Sequence, residues 1–410
     1  MTGTVHIIGA GLAGLAAAVR LSGAGRTVAV HEGTAYAGGR CRSYHDHATG
    51  LLIDNGNHLL LSGNRAAHDY ARAIGTEHRL TGPDAAEFAF HDLRSRKGWR
   101  IRISDGRIPW WIFDPAWRVP DTTWRDYLGL AKILVASDRP LGEVIACTGT
   151  LYDRLIEPLM VAALNTSPPE SSALLARNIV RETLAVGGEA CRPRIARDGL
   201  GTVFVEPAVA MLRDRGVAVR LDHELRALVL EGERVVALDF GGDRIDLSAD
   251  DAVILAVPAW AATALVPGVS GPTAFRSILN THFRAVAPAG TPALTGVLGG
   301  TTEWIFVFPD RVSVTTSNAD RFMKEPREKL AETIWGEVCA VTGLTGEMPP
   351  WQIVRERRAT FAATPEQNAR RPGPSTAWKN LVLAGDWTAT GLPSTIEGAI
   401  RSGNAAAALM

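Results

Sequence analysis

Short apolar runs separated by turn-forming clusters open the chain. Val5 to Ile8 is a β-rich apolar run, "GAGLAG" follows at once, and good helix formers continue until Gly23 and Gly25. The run "TVAVHE" then reads as a second strand that ends at Glu32. Further along, Val203 to Arg213 reads as a helix, followed by two strands that cross the turn "EGER". The stretch Ala252 to Phe275 carries no charge and is long enough to span a bilayer. Pro258, Pro267, Gly268, Gly271 and Pro272 break it, so "AVILAVP" predicts a buried strand leaving into a loop. The N-terminal apolar stretch lacks the basic region and cleavage site of a secretory signal, and its glycines weaken it as a spanning helix. No transmembrane helix is expected.

Strand, G-x-G-x-x-G, helix, strand and acid is the context that a dinucleotide fingerprint requires. Gly9 permits the tight turn, Gly11 lets backbone amides approach a pyrophosphate, and Gly14 lets the helix pack closely on the sheet. The helix N-terminus then offers unpaired N–H groups and its positive dipole end to the phosphates. Glu32 lies 18 residues past Gly14, where a carboxylate accepts from ribose hydroxyls and repels the extra phosphate of NADP.

Composition narrows the classes. A chain of 410 residues is too long for one ordinary core, so two or three domains are expected. Lys+Arg and Asp+Glu both total 43, which leaves no net field for nucleic acid. The basic runs "HDLRSRKGWRIR" and "RERR" read as solvated faces. Cys41, Cys147, Cys191 and Cys339 show no metal-ligand spacing and fit reduced thiols in a cytoplasmic protein, so no metal site is expected. G-x-S-x-G, HExxH and P-loop motifs are absent.

"EGTAYAGGRCRS" places Gly38-Gly39-Arg40 directly after the second strand, and the C-terminal "LVLAGDWTATGLPSTIEGAIRSG" lies about 350 residues further on. Together they resemble the FAD-dependent amine oxidase and phytoene desaturase superfamily. That resemblance implies an α/β fold, with a Rossmann-type FAD-binding domain built from discontinuous segments and an α+β substrate domain. Residues 1–90, 195–265 and 375–410 would form the first, and 91–194 and 266–374 the second. It also implies which residues meet FAD. Gly9, Ala10, Gly11, Leu12, Ala13 and Gly14 would form the phosphate turn, with Glu32 and Gly33 at the ribose and Leu225 at the adenine. Gly39 and Arg40 would serve the pyrophosphate, and Gly385 and Asp386 the ribityl and pyrophosphate portion. Gly56, Asn57 and His58 would lie against the isoalloxazine, and Thr395, Ile396 and Ala399 would begin a helix beside it. Thr and Pro stand in "TATGLPST" where flavin-linked amine oxidases present a cysteine, so the flavin is expected to be non-covalent.

"DNGNHLLLSGN" and "LIEPLMVAALNTSPPESSA" resemble one branch, the squalene-associated hydroxysqualene dehydroxylases of bacterial hopanoid synthesis. This resemblance, which runs from end to end, implies reductive removal of a hydroxyl from hydroxysqualene by reduced FAD, which an unidentified reductant must reload. A hydrophobic isoprenoid substrate would suit the apolar groups of the middle regions: Trp110, Trp111, Ile112, Phe113, Trp117, Trp124, Leu155, Leu159, Met160, Trp304, Phe306 and Phe308. Such residues are also ordinary core. "RIPWWIFDPAWRVPDTTW", residues 107–125, sets aromatics beside Arg107, Arg118 and Arg125 and suits either a membrane interface or burial in the substrate domain. Peripheral attachment to the cytoplasmic side of the inner membrane is the expectation. Departure of hydroxide needs a proton. His58 is the first candidate acid because an ordinary imidazole titrates near neutrality, and Asp54 is the second, with Glu397. A carotenoid-type desaturase, an amine oxidase and a non-catalytic prenyl-lipid carrier share the fold. Substrate tests separate the enzymes, and a colourless protein would indicate the carrier.

Overall fold

The structure is a computed structural model that describes residues 3–410. Strand β1 (Val5–Ile8) is buried along its whole length, as a central parallel strand must be. It pairs on one side with β2 (Val28–His31), Ile8 opposite His31, and on the other with Ala252–Leu255. Ala218–Arg220 extends the sheet beyond β2, and Leu381–Leu383 extends it beyond Ala252–Leu255, which makes five parallel strands from four distant parts of the chain. Helix α1 (Leu12–Gly23) covers this sheet. The closing helix Ile396–Ala407 lies against α1 so tightly that a side chain at Gly403 would overlap the Ala13 carbonyl. Ala227–Glu231 and Arg234–Asp239 pair antiparallel across the expected turn.

A seven-stranded sheet forms the second body. Its order is Trp351–Phe361, Phe275–Phe283, Val312–Thr316, Trp304–Val307, Leu294–Leu298, Ala86–Asp92 and Lys97–Ile103. Directly opposed residues share a face. One face gives Leu294, Trp304, Phe306, Phe88 and Phe90 to a core that also holds Trp111, Tyr127, Leu155, Met160 and Phe308. The other gives Leu279, Phe283, Ile305, Val312 and Val314 to a core beneath the helix Arg327–Thr342. Strand Ala86–Asp92 belongs to this sheet, so a division drawn at residue 90 falls inside it.

The helix expected from Val203 to Arg213 is two helices, Leu200–Phe204 and Glu206–Asp214. Pro207 has no N–H to return to the Val203 carbonyl. Thr76 Oγ1 donates to that carbonyl at 2.7 Å, and the Tyr70 hydroxyl donates to the Phe204 carbonyl at 3.0 Å. Side chains thus take over what the proline leaves unmade. Among the described residues, no helix is long and apolar enough to cross a membrane.

Candidate active site

The glycine turn behaves as three different glycines. Gly9 has φ +105°, and its N–H donates to the His31 carbonyl at 2.7 Å, so the turn is bonded to β2. A side chain at Gly14 would overlap the Gly9 carbonyl. At Gly11 a Cβ would meet nothing within 4 Å. The space in front of Gly11 is clear, and the first N–H groups of α1 have no side-chain cap. An open cradle at an uncapped helix N-terminus fits a dinucleotide pyrophosphate. Gly38 N–H donates to the Ala10 carbonyl at 2.8 Å, which brings Gly39 beside Gly11. Glu32 accepts from Ala10 N–H at 2.8 Å, Thr34 N–H at 3.0 Å and the Thr34 hydroxyl at 2.9 Å. Buried Leu225 follows Glu224, whose side chain packs at Gly33.

Arg40 donates to Asp386 at 2.7 Å and also to the Ala359 carbonyl, and so ties the early segment to the late one. Gly385, with φ +145°, donates its N–H to Ser402 Oγ at 2.8 Å. Buried Arg371 gathers the same loop, donating to the carbonyls of Asp386 (3.2 Å), Trp387 (3.3 Å) and Thr388. Burial lowers its guanidinium to about 10, and the carbonyls around it keep the cation solvated. Thr395 caps the closing helix by accepting from Gly398 N–H at 3.0 Å; Ile396 is buried behind it, and Ala399 packs against the same core.

The segment Asp54 to His58 crosses from this turn toward the seven-stranded sheet. Asp54 is buried and accepts from the Ser43 hydroxyl and from Leu200 N–H at 2.8 Å, which braces the helix Leu200–Phe204. Gly56 faces the Asn280 amide, where a Cβ would stand 3.3 Å from Nδ2. His58 is half-buried, and its ring makes no hydrogen bond to the described residues. Burial pushes it down to about 4, so the ring is uncharged at neutral pH. A neutral ring keeps one N–H, through which His58 can donate a hydrogen bond. Glu397 accepts from Ala66 N–H at 3.0 Å, Ala67 N–H at 2.8 Å and Arg401 at 2.8 Å, so its carboxylate caps the helix Arg65–Ala73.

The tryptophan-rich segment divides. Trp111, Ile112, Val119 and Tyr127 enter the core of the aromatic sheet face, while Ile108, Trp110, Phe113, Trp124 and Leu128 stay exposed. Trp110 is 62% exposed and Phe113 48%. Their rings are 6.1 Å apart, and Phe113 is 5.9 Å from Trp124. Arg107, Arg125 and Lys132 are exposed around them, whereas Arg118 turns inward to backbone carbonyls.

Arg371, Asn280 and a row of histidines had not been singled out from the sequence. His6, His31 and His223 form a hydrogen-bonded file behind Glu32 that ends on Asp243.

The model of the family described as flavin containing amine oxidoreductase matches residues 12–410. The chain is 61% identical over 412 residues to hydroxysqualene dehydroxylase of Rhodopseudomonas palustris, covering 100% of this chain and 99% of that protein. It is 59% identical over 410 residues to the protein of the same name from Sinorhizobium fredii, covering 100% and 98%. Among solved structures, cyclohexylamine oxidase from Brevibacterium oxydans superposes with a TM-score of 0.70 at 17% identity, over 100% of this chain and 99% of that one. That likeness shares the fold.

Proposed function

The chain belongs to the family of flavin-containing amine oxidoreductases, and on that premise we propose that it removes the hydroxyl of hydroxysqualene reductively to give squalene. The observation that carries this reading is the full-length identity to relatives of that name. The site supports it: a dinucleotide cradle meets a sheet face that is polar at one end and aromatic at the other.

The cofactor is FAD, held without a covalent bond, since no cysteine stands in the closing segment 381–402. Bound FAD supplies the hydride, and an external reductant reloads it. The chain does the rest. Gly11 and the α1 N-terminus receive the pyrophosphate, Glu32 the ribose, and Arg40 with Asp386 holds the middle of the dinucleotide. Gly56 to His58 lies beside the cradle, where the His58 N–H would hydrogen-bond the departing oxygen, which would leave as water with a proton drawn from solvent. Asp54 braces this segment from behind, accepting from Leu200 N–H and the Ser43 hydroxyl, and burial holds its carboxyl above the usual carboxylate range. Trp304, Phe306 and Phe90 line a dry wall that keeps water from an allylic carbon as positive charge develops.

The substrate dissolves in lipid, and Ile108, Trp110, Phe113, Trp124 and Leu128 stay exposed next to Trp111 and Tyr127, which enter the aromatic core. Exposed aromatic groups with Arg107, Arg125 and Lys132 on the same stretch suit a membrane surface, so the protein docks there peripherally and takes its substrate from lipid.

Anaerobic, pre-reduced protein mixed with hydroxysqualene tests the reaction. Squalene appearing in step with flavin reoxidation supports it; flavin that stays reduced beside intact substrate overturns it.

A further inference from the structure

The aromatic face of the seven-stranded sheet has one polar corner. Thr315 lies opposite Asn280 on one side and Trp304 on the other, so all three share the face that continues into Phe306, Leu294 and Phe90. Asn57 reaches this corner from the segment beside the dinucleotide cradle.

Every hydrogen-bond direction there is set. Asn57 Nδ2 donates to the Val314 carbonyl at 3.3 Å and to Thr315 Oγ1 at 3.2 Å. A carbonyl accepts only, so the amide cannot be turned the other way round. Having accepted from Asn57, the Thr315 hydroxyl donates to Asn280 Oδ1 at 2.8 Å. The same oxygen accepts from Asn57 N–H at 3.2 Å, and Asn280 Nδ2 donates to the Asn55 carbonyl at 3.4 Å. On this face Trp304 Nε1 and His282 Nε2 are also buried without a partner, but among the hydrogen bonds of Asn57, Asn280 and Thr315 a single acceptor is left over. Asn57 Oδ1 is buried and has no partner. A buried acceptor held this firmly lacks only a donor.

We propose that Asn57 Oδ1 accepts the hydrogen bond of the substrate's hydroxyl group, and that Asn280 and Thr315 are positioning residues that hold it in place. This rests on the dehydroxylase reading, whose substrate is a long hydrocarbon with a single O–H. A bond from that O–H to Asn57 turns the oxygen lone pairs away from Asn57, free to accept a proton from elsewhere. It also anchors an otherwise featureless chain at one point along its length. The amide is thereby reassigned from the flavin to the substrate.

Equilibrium binding of hydroxysqualene and of squalene to the oxidised holoenzyme is the test, because the two ligands differ at this group. The wild type is expected to favour hydroxysqualene by about tenfold or more, as sites built to bond a hydroxyl do. Asn57→Leu should bring that ratio near one while leaving squalene binding unchanged. Thr315→Val, which keeps Asn57 but loosens it, should lower the ratio about threefold; it also carries the test if Asn57→Leu does not fold. An unchanged ratio in flavin-replete Asn57→Leu or Thr315→Val overturns the proposal. So does loss of flavin from a folded Asn57→Leu protein, which would give the oxygen to the cofactor. If the wild type forms no squalene yet shows an Asn57-dependent preference for the alcohol, the dehydroxylase reading falls and the hydroxyl subsite stands.

Discussion

His31 Nδ1, at the end of β2 and next to Glu32 in the chain, lies 3.0 Å from His223 Nδ1. His31 Nε2 is 3.2 Å from His6 Nδ1, and His223 Nε2 is 3.1 Å from the Asp243 carboxylate. One set of neutral tautomers satisfies the whole file. His223 donates to Asp243, His31 donates to His223, and His6 donates to His31. A second proton on His31 would point Nε2–H at His6 Nδ1 and force His6 into its other tautomer.

Burial, then the neighbouring rings and Arg220, push His31 down to about 3. Burial also lowers His6, against the pull of Asp251. Both folded values lie below the unfolded one, so below pH 6.5 the folded chain binds fewer protons than the unfolded chain. Stability is complete above that pH; the part from His31 is lost as pH falls toward 3, at up to about 1.4 kcal/mol per pH unit, and His6 adds to the loss in the same direction. Urea midpoints measured from pH 7 to 4 should fall less steeply for His31→Gln than for the wild type. Parallel curves would refute the neutral file.

Gly11 and Gly14 should fail in opposite ways. Gly14→Ala meets the Gly9 carbonyl and should cost about 2 kcal/mol or more of stability with or without flavin. Gly11→Ala meets no protein atom and should leave the apoprotein's Tm unchanged while weakening flavin binding by about tenfold or more. Calorimetry of apoprotein and flavin titration separate the two.

Arg371→Met should release the loop Gly385 to Thr390, because three carbonyls lose their donor at once. The expected loss is about 3 kcal/mol, with flavin leaving before the chain unfolds. Flavin fluorescence rising below the main melting transition is the signature to seek.

A neutral His58 has a kinetic consequence. Its folded value of about 4 gives no ionisation between pH 6 and 9, so single-turnover rates should show no His58-dependent limb in that range. His58→Gln, which keeps a donor, should retain more activity than His58→Ala. A limb near pH 6.5 that disappears in His58→Ala would restore the charged acid.

Trp110→Ser with Phe113→Ser should lower binding to anionic vesicles about tenfold or more and leave turnover of detergent-dispersed substrate intact. Equal sedimentation of variant and wild type with vesicles would remove the membrane-docking role.

Much of the nucleotide half was legible because its signals are local. The Gly9 to Gly14 turn, Glu32 after β2, and Thr395 ahead of the closing helix each sit in a short sequence pattern, although Gly9 and Glu32 also bond across the βαβ unit to His31 and Ala10. Pro207 stood in plain view, yet the break beside it is stable only because Tyr70 and Thr76 arrive from another helix region. The remainder lies in contacts between remote segments. Asn57 and Asn280 are 223 residues apart, and His31 and His223 are 192 apart. His58 looks like any histidine in sequence, and its loss of charge comes from what is packed around it. The outward turn of Trp110 and the inward turn of Trp111 are set by a Pro-interrupted short helix without amphipathic period.

The nucleotide sheet is assembled from early, middle and late parts of the sequence, with the aromatic domain made in the stretches between them. A ribosome releases β1, α1 and β2 first, then most of the substrate chamber, and only at the end Leu381–Leu383 and the helix that packs Gly403 against α1. The opening βαβ unit must therefore wait, unroofed, through nearly the whole of synthesis. The cradle of Gly9 to Gly14 is complete only when segments hundreds of residues apart have met, with Leu381–Leu383 in the sheet and Gly403 packed on α1.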